Sequence, residues 1–420
     1  MKVGILSQWF DPEPGPASLP GVYARELIAR GHEVRVLTGF PNYPDGVLYD
    51  GFRIRPRTRE HSPGMDVTRV ALYPNHSSSS FGRIANYVSF LASATALSGA
   101  ALKDADAVWV YNSPPTVGLP LLWHTRWGRK PFFLHVQDLW PDSMIDSGML
   151  PQGLVGTIAA SVMARVVRVT ERHAAVIGVS SRSVRDILLS RHPEIDPQKI
   201  VYAPNPTNEA LFRPVDAIRA EKGIPAKAAD VVQIMYAGAV GDVQGLDTLL
   251  DAAALLRGRA DIRVTIVGDG ISRQRLERRT QEERLTNVRF LGRVSQDTIP
   301  ELIARAQVQL VSLSDAPFLA YTTPSKIASL LASGVPIIGH LAGDGARMIS
   351  DAEAGLVVRP GDTEGLAAAI TRMADAGSSQ WAGYGERGRR YYDSHLSVRS
   401  TTAAIVDSLS NVINSNGGRG

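Results

Sequence analysis

Two threonines, a proline, a serine and a lysine stand in a row at Thr322-Thr323-Pro324-Ser325-Lys326, and a helical pattern follows them. Ile327, Leu330 and Leu331 recur at helical spacing and Gly334 closes the run, so the hydroxyls and the ammonium gather at one helix start. Thr323 has the chemistry of an N-cap, and Pro324 suits the first helical position, where no N–H is needed. A helix start offers free N–H groups and the positive end of the dipole, and both favour a phosphate. An ordinary capped helix with a solvated lysine would carry the same residues, so the reading depends on the surrounding chain.

A second concentration of chemistry lies at Phe132 to Asp142, FFLHVQDLWPD. An apolar strand there delivers His135, Gln137 and Asp138 to its carboxyl end, which is the ligand edge of a parallel sheet. Polar groups for hydroxyls beside a tryptophan for an apolar ring face suit a sugar. For His135 alone, a core histidine is the alternative. Gly15, in the Pro/Gly-rich loop Asp11 to Ser18, could let a backbone approach a phosphate or sugar closely, or simply make a turn. Asp104-Ala105-Asp106 has the form of a metal-binding pair, but it sits in a helix–strand connection where solvated carboxylates are common. No metal is expected.

The elements that must position these groups come in two alternating series. Val3 to Ser7 reads as a strand, followed by a helix bearing Val22, Tyr23, Leu27 and Ile28, and then the strand Val34 to Leu37. A helix over Arg83 to Leu102 and strands at Ala107 to Tyr111 and Pro131 to Val136 follow. Another helix, Gly153 to Arg172, leads to strands at Val176 to Val179 and Ile200 to Ala203. The stretch Pro204 to Pro214, with two prolines in its first three residues, breaks any element and is the expected hinge. A second series starts with the strand Val231 to Tyr236, whose end carries Gly238, Gly241 and Gln244. It continues through the strand Arg263 to Val267, ending in Gly268-Asp269-Gly270, the strand Val288 to Leu291 with Arg293 after it, Gln307 to Leu313, Val335 to Ile338 and Gly355 to Val358. Strands alternating with helices in two sets predict an α/β chain of two doubly wound, Rossmann-like domains facing each other across a cleft. Neither Gly-x-Gly continues to a third glycine, so neither is a dinucleotide fingerprint.

Composition narrows the class. The chain has 420 residues, 44% hydrophobic and 20% charged, which exceeds one ordinary core and argues for two. With no cysteine there are neither disulfides nor thiolate metal sites, and a cytoplasmic protein is expected. No uninterrupted apolar run reaches the roughly 18 residues of a membrane span. The net charge of +4 is spread over scattered arginines, which speaks against nucleic acid and for anionic ligands or a lipid surface. Trp123, Arg126, Trp127, Arg129 and Lys130 make a basic, aromatic patch that suits the inner face of a membrane, with a solvated helix face as the alternative.

Gly31-His32-Glu33-Val34, Thr38-Gly39-Phe40-Pro41-Asn42-Tyr43-Pro44, Tyr73-Pro74-Asn75-His76, His135-Val136-Gln137-Asp138-Leu139-Trp140-Pro141-Asp142, Val267-Gly268-Asp269-Gly270 and Pro324-Ser325-Lys326 occur in one order. In this the chain resembles the retaining glycosyltransferases of the family-four type, particularly bacterial exopolysaccharide and colanic-acid-like members. The resemblance implies the GT-B fold. An acceptor domain would span residues 1–206, a nucleotide-sugar donor domain 207–393, a helix at about 394–413 would cross back, and 414–420 would be a disordered tail. It implies transfer from a UDP- or dTDP-sugar to a glycan, lipid-linked or small-molecule acceptor, without cofactor or metal. By position it puts Gly15 near the diphosphate, His135 near the transferred sugar, Asp138 on the acceptor side and Arg293 near the base. Gly238, Gly241, Gln244, Gly268, Gly270, Thr322, Thr323, Ser325, Lys326 and Ser329 line the donor, and His135, Asp138 and Lys326 carry catalysis. The chain departs from the family where an Arg and a Lys usually contact the diphosphate, at Ala239 and Gln244, and has Asp242 nearby. Tyr321 and Ser329 stand where two glutamates are usual. A phosphate site recentred on Lys326, a deoxynucleotide donor, and a degenerate protein that binds a ligand or partner without catalysis are the three readings left open.

Overall fold

A strand buried on both faces needs a continuous apolar run, and most strands here have one. The computed structural model describes residues 1–76, 80–122, 130–142, 153–225 and 231–417, and divides into two units: 1–205 with 398–420, and 206–397.

Unit 1 is built on β1 (Lys2–Leu6), β2 (Glu33–Gly39), β3 (Arg57–Ser62), β4 (Met65–Val70), β5 (Ala107–Asn112), β6 (Phe132–Val136), β7 (Val176–Val179) and β8 (Ile200–Tyr202). They form one sheet in the order β3-β4-β2-β1-β5-β6-β7-β8, parallel except for β3. Its helices include α1 (Leu19–Ala29), α2 (Ser80–Ala101), α3 (Leu154–His173) and α4 (Arg182–Arg191). One core packs Phe90 and Ala94 of α2 with Leu6, Val110, Phe132 and Leu134. The other packs Tyr23 and Leu27 of α1 with Val3, Ile5, Trp109 and Phe133. In length and composition α2 could cross a membrane, with a mean hydropathy of 1.2 and only 22% of that window buried. Its buried side nonetheless packs on β2 and β4.

Unit 2 begins with α5 (Val215–Lys222) and continues β9 (Val232–Ala237), α6 (Leu246–Leu255), β10 (Ile262–Val267), α7 (Arg273–Glu282), β11 (Val288–Gly292), α8 (Ile299–Arg305), β12 (Val308–Ser312), α9 (Ser325–Ser333), β13 (Ile337–His340), α10 (Gly343–Asp351), β14 (Gly355–Val358) and α11 (Thr363–Tyr391). The sheet is wholly parallel, in the order β11-β10-β9-β12-β13-β14. The chain reverses its direction of growth between β9 and β12, and in unit 1 between β1 and β5. In doubly wound sheets these reversal points open the ligand crevice at the strands' carboxyl ends. Gly377, at φ 74°, breaks α11 into two stretches.

Several elements differ from the sequence expectation. The hairpin β3–β4 was not legible, because β3 reads Arg-Thr-Arg-Glu-His-Ser and its charges protect an exposed edge. Helices α4 and α5 bury only two residues each, too few for a visible period. Strand β13 starts two residues later than expected, because left-handed Gly334 at the end of α9 leaves Val335 and Pro336 in the turn. The terminal helix α12 (Val398–Gly417) continues through Asn414, where a loose tail was expected to begin.

Helix α12 belongs to unit 1. Ile405 and Leu409 are buried there with Tyr23 and Leu27, and the Arg30 guanidinium donates to the Arg399 carbonyl at 2.5 Å. Leu409→Ala should therefore destabilise the protein by about 2–5 kcal/mol, as a cavity in a packed core does. Urea unfolding followed by circular dichroism measures it.

Candidate functional site

The reversal point of unit 2 brings the loop after β9 against the start of α9. Pro324 is the N-cap of α9 and makes no side-chain cap bond. This corrects Thr323 as cap and Pro324 as first helical residue. The Thr323 hydroxyl is buried without a hydrogen-bond partner, Thr322 donates to the Phe318 carbonyl at 3.3 Å, and Ser325 opens the helix, exposed. Half-buried Lys326 places its Nζ 4.2 Å from the centroid of the Tyr236 ring. It forms no ion pair among the described residues, and burial lowers its pKa to about 8. An unpaired, partly desolvated ammonium is held by the ring and favours an incoming anion. Gly238 makes room for it: a Cβ there would run into Lys326 Nζ. Tyr236 is fixed in turn by donating to the Ala239 carbonyl at 2.6 Å. Tyr236 is not among the expected site residues; its signal is a phenol at the penultimate position of an apolar strand, two residues before a glycine.

The other glycines shape this loop. Gly238 N–H donates to the Val267 carbonyl and Val240 N–H to the Asp269 carbonyl, each at 2.9 Å, extending the β9–β10 ladder beyond both strands. A Cβ on Gly268 would strike the Gly238 carbonyl oxygen, and one on Gly270 the Val240 carbonyl. These two glycines serve close backbone packing beneath the loop. Gln244 turns back, its Oε1 accepting from Gly241 N–H at 3.0 Å, and left-handed Gly245 then opens α6. The Ser312 hydroxyl donates to the Gln244 carbonyl at 2.7 Å, and His340 Nδ1 lies 2.9 Å from the same hydroxyl. Because His340 Nε2 accepts from Gly361 N–H at 2.9 Å, the proton sits on Nδ1 and the relay runs His340, Ser312, Gln244. Burial lowers His340 to about 4, so it stays neutral, with Asp362 opposing the shift. Asp242 accepts from the Ser272 hydroxyl at 2.5 Å and lies 3.8 Å from Arg275, so its charge is drawn toward α7.

Two donor-side expectations fall elsewhere in unit 2. Arg293 follows β11, exposed and without an ion pair among the described residues. Ser329 lies within α9 and bonds the Thr207 hydroxyl at 2.7 Å, while Thr207 N–H donates to Tyr392, so this hydroxyl secures the entering chain.

In unit 1, Gly15 has φ 65° and nothing lies within 4 Å of where a Cβ would stand, so conformation alone demands glycine. The loop carrying it is clamped by Glu13, a residue the sequence reading passed over. Its carboxylate accepts from Phe10 N–H at 3.0 Å and from Asn42 and Tyr43 N–H at 2.8 Å. Burial pushes Glu13 up to about 7, against those bonds. Buried Arg69 donates to the Asp11 carbonyl at 2.8 Å and the Gly39 carbonyl at 3.3 Å, tying the same loops.

His135 is fully buried among Tyr23, Trp109, Tyr111 and Phe133. Its Nε2 lies 2.7 Å from the Ala203 carbonyl and its Nδ1 has no partner, while burial lowers its pKa to about 4. In this structure it is a core histidine, which corrects its placement at the ligand edge. Asp138 is exposed to solvent at the carboxyl end of β6 and crowded by protein on its other sides. That crowding raises its pKa, and the Ser113 hydroxyl hydrogen bond pulls it down. Gln137 accepts from Asn205 at 2.5 Å. Lys130 is committed to the Lys103 and Ala105 carbonyls; Trp123, Arg126, Trp127 and Arg129 lie outside the described residues. Asp106 accepts from Lys2 N–H at 2.7 Å, and no cluster of three or more metal-ligating side chains occurs among the described residues.

Residues 16–206 match the family described as Glycosyl transferase 4-like domain, and residues 232–376 match Glycosyl transferases group 1. The chain is 28% identical over 348 residues to the putative colanic acid biosynthesis glycosyl transferase WcaI of Escherichia coli K12, covering 80% of this chain and 82% of that one. It is 24% identical to the probable glycosyltransferase WbjE of Pseudomonas aeruginosa, over 66% and 68% of the two chains. Its fold is that of sucrose-phosphate synthase from Thermosynechococcus elongatus, with TM-score 0.70 and 19% identity over 99% of each chain. It is also that of Anabaena HepE in complex with UDP, with TM-score 0.65 and 16% identity over 98% and 100%.

Gly268→Ala should lower the melting temperature by several degrees, since the added carbon meets backbone that cannot swing aside. His340 sets a pH dependence. Its folded pKa lies below the unfolded value of 6.5, so stability is lost as pH falls from 6.5 toward 4. Denaturant titrations across that range should show a shallower acid loss in His340→Gln than in the parent.

Proposed function

The chain belongs to the glycosyltransferases of the family-four type, with the GT-B fold, and on that premise we propose that unit 2 holds a nucleotide-sugar donor by its diphosphate at the start of α9. The observation that carries the reading is the Lys326 ammonium, without an ion pair among the described residues, held between Tyr236 and Gly238 at the start of α9. The sugar passes with retained configuration to a hydroxyl of a glycan acceptor. Its anomeric carbon leaves the diphosphate oxygen and bonds the acceptor oxygen, while the acceptor's proton goes to a base. Asp138, with its raised pKa, is the residue of unit 1 suited to take it. Charge grows on the departing diphosphate, and a lysine with a helix start stabilises it where it develops. Neither step calls on a metal or cofactor. Lys326 thus takes over what Ala239 and Gln244 lack. The UDP held in the HepE complex, and colanic acid in the name of WcaI, support a nucleotide-sugar donor and a polysaccharide product.

Unit 1 meets the inner face of a membrane through the outer faces of α2 and α3. Phe81, Ile84 and Val88 recur along α2, and Leu154, Ile158 and Val162 along α3, all exposed. Both helices pack on the same turn, Pro115–Gly118, and exposed Arg165 and Arg172 on α3 complement anionic headgroups. Such a surface points to a lipid-linked acceptor.

UDP or dTDP should raise the melting temperature of the parent and leave that of Lys326→Ala unmoved, because a ligand that binds only the folded state stabilises it. Lys326→Ala should also lose about a hundredfold or more in kcat. The free enzyme's Lys326 titrates near 8, and a bound diphosphate favours the ammonium. UDP affinity, measured by calorimetry, should therefore be flat below pH 8 and fall above it, with a proton taken up on binding. Anionic vesicles should sediment the parent but not a Phe81→Asp, Ile158→Asp double variant.

A further inference from the structure

Loops from three neighbouring strands of unit 1 converge on one asparagine. Asn86 of α2 accepts from Gln8 Nε2 at 2.5 Å, and donates to the Tyr73 carbonyl at 2.7 Å and to Asn42 Oδ1 at 3.3 Å. These partners follow β1, β4 and β2. Each loop contributes one half-buried ring to a single cluster: Trp9 and Tyr43 have centroids 5.3 Å apart, Tyr43 and His76 5.4 Å, Trp9 and His76 6.2 Å. The same neighbourhood holds Gln8 Oε1, Trp9 Nε1, His76 Nε2 and Arg83 Nε, all buried with no hydrogen-bond partner among the described residues. Buried polar atoms are nearly always paired, so four orphans in one place call for a ligand or ordered water. Two of them donate, Gln8 accepts, and His76 can do either. Mixed donors and acceptors beside part-open ring faces match the hydroxyls and C–H faces of a sugar. Arg83, half-buried in the first turn of α2, meets no carboxylate among the described residues, and its charge is felt at both His76 and Tyr87. Tyr87 also feels Asp138, which links the cluster to the candidate base.

We propose that Trp9, Tyr43, His76 and Arg83 form the acceptor subsite, and that it takes a sugar joined to a phosphate: the rings and orphaned groups hold the sugar, and the Arg83 guanidinium holds the phosphate. The proposal rests on the transferase reading but uses no residue of unit 2. The phosphate can be that of a free sugar phosphate or of a lipid carrier, and the apolar stripe starting at Phe81, two residues before Arg83, favours the carrier.

Saturation-transfer NMR on the full-length protein with UDP present tests it, using glucose, glucose 1-phosphate and a hexose linked by diphosphate to a short prenyl chain. Glucose 1-phosphate should bind about tenfold more tightly than glucose, as a charge-assisted contact gives. That advantage should vanish in Arg83→Gln. Saturation of the sugar's ring protons should be lost in Trp9→Ala and Tyr43→Ala, and weakened but present in Trp9→Phe, which keeps a ring and removes the indole N–H. The prenyl probe should bind more tightly than glucose 1-phosphate if the carrier is the source, and equally if a free sugar phosphate is. The UDP thermal shift serves as the folding control and should be unchanged in all these variants. Undiminished saturation in Trp9→Ala, an equal phosphate advantage in Arg83→Gln, or no sugar binding to the parent would each overturn the subsite. Sugar binding that depends on Trp9 in a protein that ignores UDP would instead overturn the donor reading and leave the subsite standing.

Discussion

An ammonium with no counter-ion among the described residues is the constraint on which unit 2 depends. Lys326 is half-buried over the Tyr236 ring, and the shift of its pKa to about 8 shows that desolvation costs it more than its surroundings return. The protein tolerates this because every neighbour is arranged around it. Gly238 lacks the side chain that would collide with it, Gly268 and Gly270 let two backbones run side by side beneath it, and Tyr236 is anchored to the Ala239 carbonyl. A salt bridge in the same place would neutralise that charge and leave nothing to offer an incoming anion.

Unit 1 solves a related problem with buried polar side chains. Its carboxyl-edge loops are long and rich in proline, so their backbone N–H groups cannot all be satisfied by the sheet. Glu13 takes three of them, Arg69 bridges two carbonyls, and Asn86 ties three loops to one helix. Burial pushes Glu13 up to about 7, so its contribution to stability is greatest in acid and falls as pH rises from 4.5 through 7, although the three amide bonds favour the carboxylate. That trend opposes the one from His340, and the two offset each other over part of the mildly acidic range.

The two ends of the sheet strands show how local pattern and site chemistry separate. The apolar run Phe132 to Val136 announced β6 correctly, yet alternation along it sent His135 into the aromatic core and left Asp138, beyond the strand, exposed. At Thr323 the cap was expected one residue too early: Pro324 takes the non-helical cap position, and the Thr323 hydroxyl makes no capping bond. Ser329 was expected to line the donor, but a hydroxyl in mid-helix turns to whatever packs on that face, here Thr207. Gln244, which stands where a lysine is usual, closes its own turn on Gly241.

Sequence by itself determined the two alternating series, nearly every parallel strand, the helix start at Lys326 and the family, because periodicity, glycine stops and short motifs are properties of neighbouring residues. The tertiary structure alone decided that Lys326 would rest on Tyr236, that Glu13 would clamp three amides, and that Trp9, Tyr43 and His76 would share a cluster. Apart from Glu13 with Phe10, those pairings join residues from 29 positions apart, as Glu13 with Asn42, to 90, as Lys326 with Tyr236. No local preference encodes them, and only the closing of the sheet brings such partners into reach.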